Sequence, residues 1–150
     1  MIIAFICTAI AIVADQLTKH FIYGTVSRSV IGNFLWFEST LNTGVAFSWF
    51  EGGGWIFIAL SLLFSAVFVY LIVSKKYFKS KTEKICFGFI LGGTLSNVID
   101  RIIFGGVRDF IYFKFIDFAI FNLADTAIVL GAIVLCVYVL VQSIKKDNKW

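Results

Sequence analysis

The chain has 150 residues, of which 60% are hydrophobic and 15% charged, with no proline and a mean hydropathy of +0.95. A soluble domain is roughly half apolar and about a quarter charged, so this composition excludes a water-soluble globule and indicates a membrane-embedded one. The net charge of +4 is modest, and no basic stripe with interleaved aromatics lies outside the apolar segments, which excludes a nucleic-acid partner.

The first apolar segment, MIIAFICTAIAIVADQLTKH, has neither a basic leading region nor an A-x-A-like cleavage site. It reads as a retained spanning helix and not a removed signal peptide. A span needs about 20 apolar residues to cross a hydrocarbon core of ~30 Å. Only 14 uncharged residues precede Asp15, so the helix has to continue past it and carry the carboxylate within one leaflet's depth. Asp15 shares a helical face with Thr18 and Lys19, and an Asp15–Lys19 ion pair is the plain structural account of both charges. Residues 24–53 are too many for a simple turn, and VIGNFLWFEST within them is short-strand material. Trp36, Trp49 and Trp55 suit a membrane–water interface.

Residues 56–73 form a span almost unaided, and a lysine-rich connection, SKKYFKSKTEK, follows. Residues 85–99 are again short for a span and must run on past Asp100 and Arg101. The aromatic run DFIYFKFIDFAIF, interrupted by Lys114 and Asp117, is expected at the interface and not across it. Residues 126–144 complete a set of four spans. The expected organisation is a single domain, all-α and membrane-embedded, with spans near residues 1–23, 54–74, 85–104 and 121–144. Cys7, Cys86 and Cys136 lie singly in apolar stretches, with no C-x-x-C, and read as packing residues.

Lys75, Lys76, Lys79, Lys81 and Lys84 fall between spans two and three, and Lys145, Lys146 and Lys149 follow span four. The positive-inside rule makes that side cytoplasmic, together with the N-terminus. Asp15, Asp100, Asp109 and Asp125 are then all expected at the outer leaflet, a convergence that unrelated structural charges would not produce.

In span three Gly88, Gly92, Ser96 and Asp100 recur every four residues, with Gly93, Asn97 and Arg101 in the next row. Close helix packing accounts for the two glycines and the serine of the first row without any function. It does not account for Asn97, Asp100 or Arg101. Adjacent charges on a helix cannot face each other, so Asp100 and Arg101 need partners elsewhere, Asn97 being one local candidate. At the start of span four Asn122, Asp125 and Thr126 share a face; Asn122 could simply be an N-cap.

Metal chemistry is disfavoured, because His20 is the only histidine and H-E-x-x-H is absent; a carboxylate-only site for a hard ion stays open. No cofactor is implied. There is no G-x-S-x-G, Ser96 has no histidine base nearby in sequence, and Lys114 is the only loose candidate for a serine–lysine pair. What remains is a pair of carboxylates sharing a proton, able to activate water and protonate a leaving amine.

Five motifs, in order, resemble those of the lipoprotein signal peptidases. They are DQLTK (15–19), NTGVAF (42–47), GGTLSNVIDR (92–101), VRDF (107–110) and FNLAD (121–125). The resemblance implies Asp109 and Asp125 as the catalytic dyad, with Asp15, Lys19, Asn42, Gly44, Asn97, Asp100, Arg101 and Asn122 as the polar surround that shapes the site and contacts substrate. It implies four transmembrane helices with a small external β-cradle and an interfacial segment. The implied reaction is removal of the signal peptide from a prolipoprotein, cut just before a cysteine carrying diacylglycerol. The implied setting is the bacterial cytoplasmic membrane, with lipid as neighbour and the chain a monomer. Two departures stand out: Ser96 occupies a position where the family has glycine, and the interval from Asp109 to Asp125 is short. A proton-coupled exporter, an inert membrane scaffold and a presenilin-like protease are the rivals. The long external segment, the carboxylates at one leaflet and the missing G-x-G-D weigh against them.

Overall fold

A computed structural model describes residues 1–25, 27–44, 54–74, 77–78, 80–116 and 118–147. Lys75, Lys76, Lys79 and Lys149, Trp49, Asp117 and residues 45–47 of the second motif therefore lie outside the described residues.

Four helices dominate: α1 (Ile2–Ile22), α2 (Gly54–Val73), α3 (Lys81–Phe104) and α4 (Leu123–Asp147). All four are long and apolar enough to cross a membrane. Their outward faces are rows of exposed large apolar residues, such as Ile6, Ile10, Val13 and Leu17 on α1 and Val129, Ile133, Val137 and Leu140 on α4. Water would not tolerate patches of that extent, whereas lipid does. Helix α3 starts earlier than its apolar run, at Lys81, because Ser80 and Glu83 cap each other reciprocally.

Helix α3 is the centre of the bundle and packs against α1, α4 and α2. The small-residue row makes this possible. A side chain at Gly88 would strike the backbone of Ala4, one at Gly92 would meet the Cβ of Ala11 at 2.6 Å, and one at Gly93 would strike the carbonyl of Ala124. The first two contacts seat α1 and the third seats α4. With lipid on the outside there is no hydrophobic drive between helices, so backbone approach of this kind is what holds them.

Three short strands form an antiparallel sheet at one end of the bundle, β1 (Arg28–Ile31), β2 (Leu35–Asn42) and β3 (Val107–Tyr112), in the order β1-β2-β3. The strand material expected between the first two spans is the β1–β2 hairpin. The aromatic run after α3 divides differently from the expectation. Its first part, through Tyr112, is the third strand, and Lys114–Ile116 form a 3₁₀ turn. Pairing defines the strand: along Val107–Tyr112, Asp109 and Ile111 pair with Thr40 and Phe37 of β2. Gly105, at φ +74°, ends α3 in the left-handed conformation that glycine adopts without strain and turns the chain into β3. Phe121 then pairs with Ile111, which draws the start of α4 alongside β3.

Candidate active site

Helix α4 begins at Leu123 because Asn122 caps it. The Asn122 side-chain oxygen accepts from the Asp125 N–H at 2.8 Å, and the Asp125 Oδ2 accepts from the Asn122 N–H at 3.2 Å. This reciprocal cap fixes the Asp125 carboxylate against the helix start. The N-cap reading of Asn122 is thus correct and incomplete, because its amide nitrogen does two further things. It donates to Asp109 Oδ1 at 2.6 Å and to Asn97 Oδ1 at 3.2 Å.

Two more asparagines close the frame. Asn97 donates to Asp125 Oδ1 at 2.8 Å. Asn42 donates to Asp109 Oδ2 at 3.1 Å while its own oxygen accepts from the Gly44 N–H at 3.1 Å. Each aspartate therefore has both oxygens held, and amides from β2, α3 and the cap of α4 supply the donors. Both carboxylates open onto one cavity of about 790 Å³, whose wall also includes Arg101, Leu41, Val129 and Leu130. The charge of Arg101 is close enough to act on Asp125, Asp109 and Asp100.

Asp109 is only 2% exposed. Burial, and after it the charge of Asp125, pushes its carboxyl up to about 7, against the opposing pull of the Asn42 and Asn122 amides and the charge of Lys19. Near neutral pH such a group can hold a proton that an exposed aspartate would have lost.

Behind this site lies a buried ionic network. Lys19, fully enclosed, pairs with Asp15 at 2.7 Å and with Asp100 at 3.1 Å, and donates to Asn97 Oδ1 at 3.0 Å. The Asp15–Lys19 pair expected from their spacing exists, as one edge of something larger. Asp15 also accepts from the Ser96 hydroxyl at 2.7 Å and from the Ala124 N–H at 2.9 Å, so α1 holds the first turn of α4. Asp100 does not turn to Asn97. Its partners are Lys19, Gln16 and Arg108, because Asn97 is already spent on Lys19 and Asp125.

Three members of the network escaped the sequence reading. Gln16 donates to Ser96 Oγ at 3.0 Å and to Asp100 Oδ1 at 2.9 Å. Ser96 is more than a small packing residue, since its hydroxyl both donates and accepts. Arg108 holds Asp100 at 2.8 Å. Lys114, the loose candidate for serine–lysine chemistry, stands instead over the Trp36 ring, 3.8 Å from its centre. Among the described residues no cluster of His, Cys, Asp and Glu has the arrangement of a metal site.

Residues 7–141 match the model of the family described as signal peptidase (SPase) II. The chain is 32% identical over 154 aligned positions to the lipoprotein signal peptidase of Enterococcus faecalis, covering 99% of this chain and 95% of that one. It is 37% identical to the lipoprotein signal peptidase of Chlorobium phaeobacteroides, over 89% and 93% of the two chains. A bacterial membrane enzyme solved by the in meso method superposes with a TM-score of 0.86 at 28% identity, over 98% of this chain and 93% of its own. A second membrane enzyme solved in the same way superposes at 0.80, with 29% identity. With its four apolar helices, its three-stranded sheet and a family match along nearly its whole length, the chain belongs to the signal peptidase II family of membrane proteases.

Proposed function

We propose that this chain removes signal peptides from prolipoproteins, using Asp109 and Asp125 as a proton-sharing dyad that activates water. The observation that carries the reading is the asparagine frame. Asn42, Asn97 and Asn122 hold two buried carboxylates on the wall of one largely apolar cavity. A frame of neutral amides fixes the geometry of both acids without neutralising either by an ion pair, which suits proton transfer better than it suits structure.

In the proposed cycle Asp125 is the ionised member, at the positive end of α4, its carboxylate accepting two hydrogen bonds, from the Asn97 amide and the Asn122 N–H. It takes a proton from water as the water attacks the scissile carbonyl. Asp109, protonated up to about pH 7, hydrogen-bonds the developing oxyanion and then protonates the leaving amine. Asn42, Asn97 and Asn122 keep the two acids aligned, and Arg101 supplies positive charge on the cavity wall. Gly44 anchors Asn42, while Asp15, Lys19 and Asp100 fix the frame from behind. The apolar wall formed by Leu41, Val129 and Leu130 suits acyl chains, and so a cut just before a diacylglyceryl-cysteine. The lysines that follow α2 and end α4 in the sequence support a topology in which those ends, and both termini, face the cytoplasmic side of a bacterial membrane. The site then lies toward the outer leaflet, on a single domain that works as a monomer.

The test is cleavage of a diacylglyceryl-modified prolipoprotein by the purified protein, beside Asp109→Asn, Asp125→Asn and Lys145→Gln, the last at the far end of α4. Loss of cleavage in the first two, with normal cleavage in the third, is expected. Full activity in either aspartate variant would remove that residue from the chemistry, and an inert parent protein would refute the substrate class.

A further inference from the structure

We infer that Arg108 is a positioning residue for the reaction, clamping β3 to α3 and α1 so that Asp109 is held at its working depth; this rests on the reading of Asp109 as half of the dyad. The clamp has two handles at one residue. The Arg108 backbone N–H donates to Asp100 Oδ2 at 2.9 Å. Its guanidinium donates to Asp100 Oδ1 at 2.8 Å from Nη2 and to Oδ2 at 3.3 Å from Nε. The same Nη2 donates to Gln16 Oε1 at 2.9 Å, and Gln16 in turn donates to Asp100 Oδ1 at 2.9 Å, which closes a ring through α1, α3 and β3. Beneath, the guanidinium lies over the Phe104 ring, 4.1 Å from its centre.

The placement gives this clamp leverage. Strand side chains alternate, so residue 108 turns into the bundle while residue 109 turns toward the cavity. One peptide unit separates anchor from acid. Gly105 and Gly106, which join α3 to β3, contribute no side chain, so Arg108 is the first polar side chain able to tie the strand back to the helix. A bidentate Arg–carboxylate contact fixes orientation as well as distance, which a lysine cannot reproduce. Displacing a reacting group by ~1 Å can cost on the order of 100-fold in rate.

The experiment compares Arg108→Met, Arg108→Lys and Gln16→Met with the parent enzyme on a diacylglyceryl-modified prolipoprotein, measuring kcat and KM separately, with Asp109→Asn alongside. Methionine keeps the apolar stem against Phe104 and removes the donors. The expected result for Arg108→Met is a kcat lowered on the order of 10- to 100-fold with KM within about twofold. Arg108→Lys should recover part of the loss. The Arg108→Met/Gln16→Met pair should be less than additive, because the two residues act as one unit. A kcat within about twofold of the parent, or a loss confined to KM, would overturn the inference. If Arg108→Met does not accumulate folded, Arg108→Lys decides: a lowered kcat at unchanged KM supports the clamp, and an unchanged kcat refutes it. An inactive Asp109→Asn beside a fully active Arg108→Met rejects the clamp alone, whereas an active Asp109→Asn rejects the underlying reading of the site.

Discussion

Replacing Lys19 with methionine should destabilise the protein by ~3–5 kcal/mol, the usual cost of breaking a buried ionic network by removing one partner. Lys19 and both of its carboxylate partners have side chains with no exposure. The network sets two carboxylates, Asp15 and Asp100, against two cations, Lys19 and Arg108. Methionine fills a similar volume, and no acceptor is orphaned. Asp15 keeps Ser96 and Ala124, Asp100 keeps Arg108 and Gln16, and the Asn97 oxygen keeps Asn122. The cost is therefore an uncompensated negative charge, equivalent to roughly two to three and a half decades in the folding equilibrium at ~1.4 kcal/mol per decade. Reversible unfolding in mixed ionic and non-ionic micelles, followed by circular dichroism, measures it. Adding Asp15→Asn to Lys19→Met restores charge balance and should recover more than half of the loss. A Lys19→Met protein within ~1 kcal/mol of the parent, or a double variant no better than the single one, would refute the argument from charge.

Gly93→Ala should cost ~1–3 kcal/mol in the same unfolding measurement, because the new methyl strikes the Ala124 carbonyl and comes to 2.8 Å from Ile128 Cγ1. It should also lower cleavage, since Asp125 moves with that turn of α4. Asn122→Ala removes a helix cap and a donor to Asp109, so a loss of ~1–2 kcal/mol in stability and at least about tenfold in kcat is expected from parallel assays. For pH, Asp109 lies at about 7 in the folded protein against an ordinary 3.8. Its contribution to stability is fully present below the lower value and is lost as pH rises through the upper one; Asp109→Asn should flatten that slope in unfolding measured across the range. Cleavage should decline on the same alkaline limb as the shared proton is lost, and profiles of kcat/KM against pH will show whether it does.

The four helices were legible because crossing a bilayer leaves a coarse signature, about 20 apolar residues at a time, that no tertiary contact can disguise. Asp100 was legible as a charge in need of a partner, though not which partner. Arg108 lies eight residues away beyond a glycine turn, and Gln16 lies on another helix, so no periodicity connects them to Asp100. Strand β3 was hidden for a related reason. VRDFIY alternates only weakly, and its strand character comes from pairing with β2, about 70 positions earlier in the chain. Ser96 read as a packing residue because it continues the glycine row, and only the Asp15 and Gln16 side chains facing it reveal the hydroxyl's use. The polar residues of FNLAD, by contrast, could be read as a unit, because a helix cap is a local device.

The hydrogen bond from Ala124 to Asp15 has a consequence for biogenesis. Helix α1 is made before the other three helices, and it carries a carboxylate and an ammonium whose partners are Ser96, Asn97 and Asp100, more than 75 residues later, and Ala124, later still. A charge costs roughly 2.5 to 3.5 kcal/mol at the centre of an inserted helix, and less toward its end, where Asp15 and Lys19 lie. Until α3 arrives, α1 can lower that cost only by pairing Lys19 with Asp15 across one turn. The pair is thus an insertion intermediate's own neutraliser before it becomes part of an enzyme. A ribosome stalled after α3 would expose a protein that is inserted, nearly assembled, and still without Asp125 or the Asn122 cap that seats it.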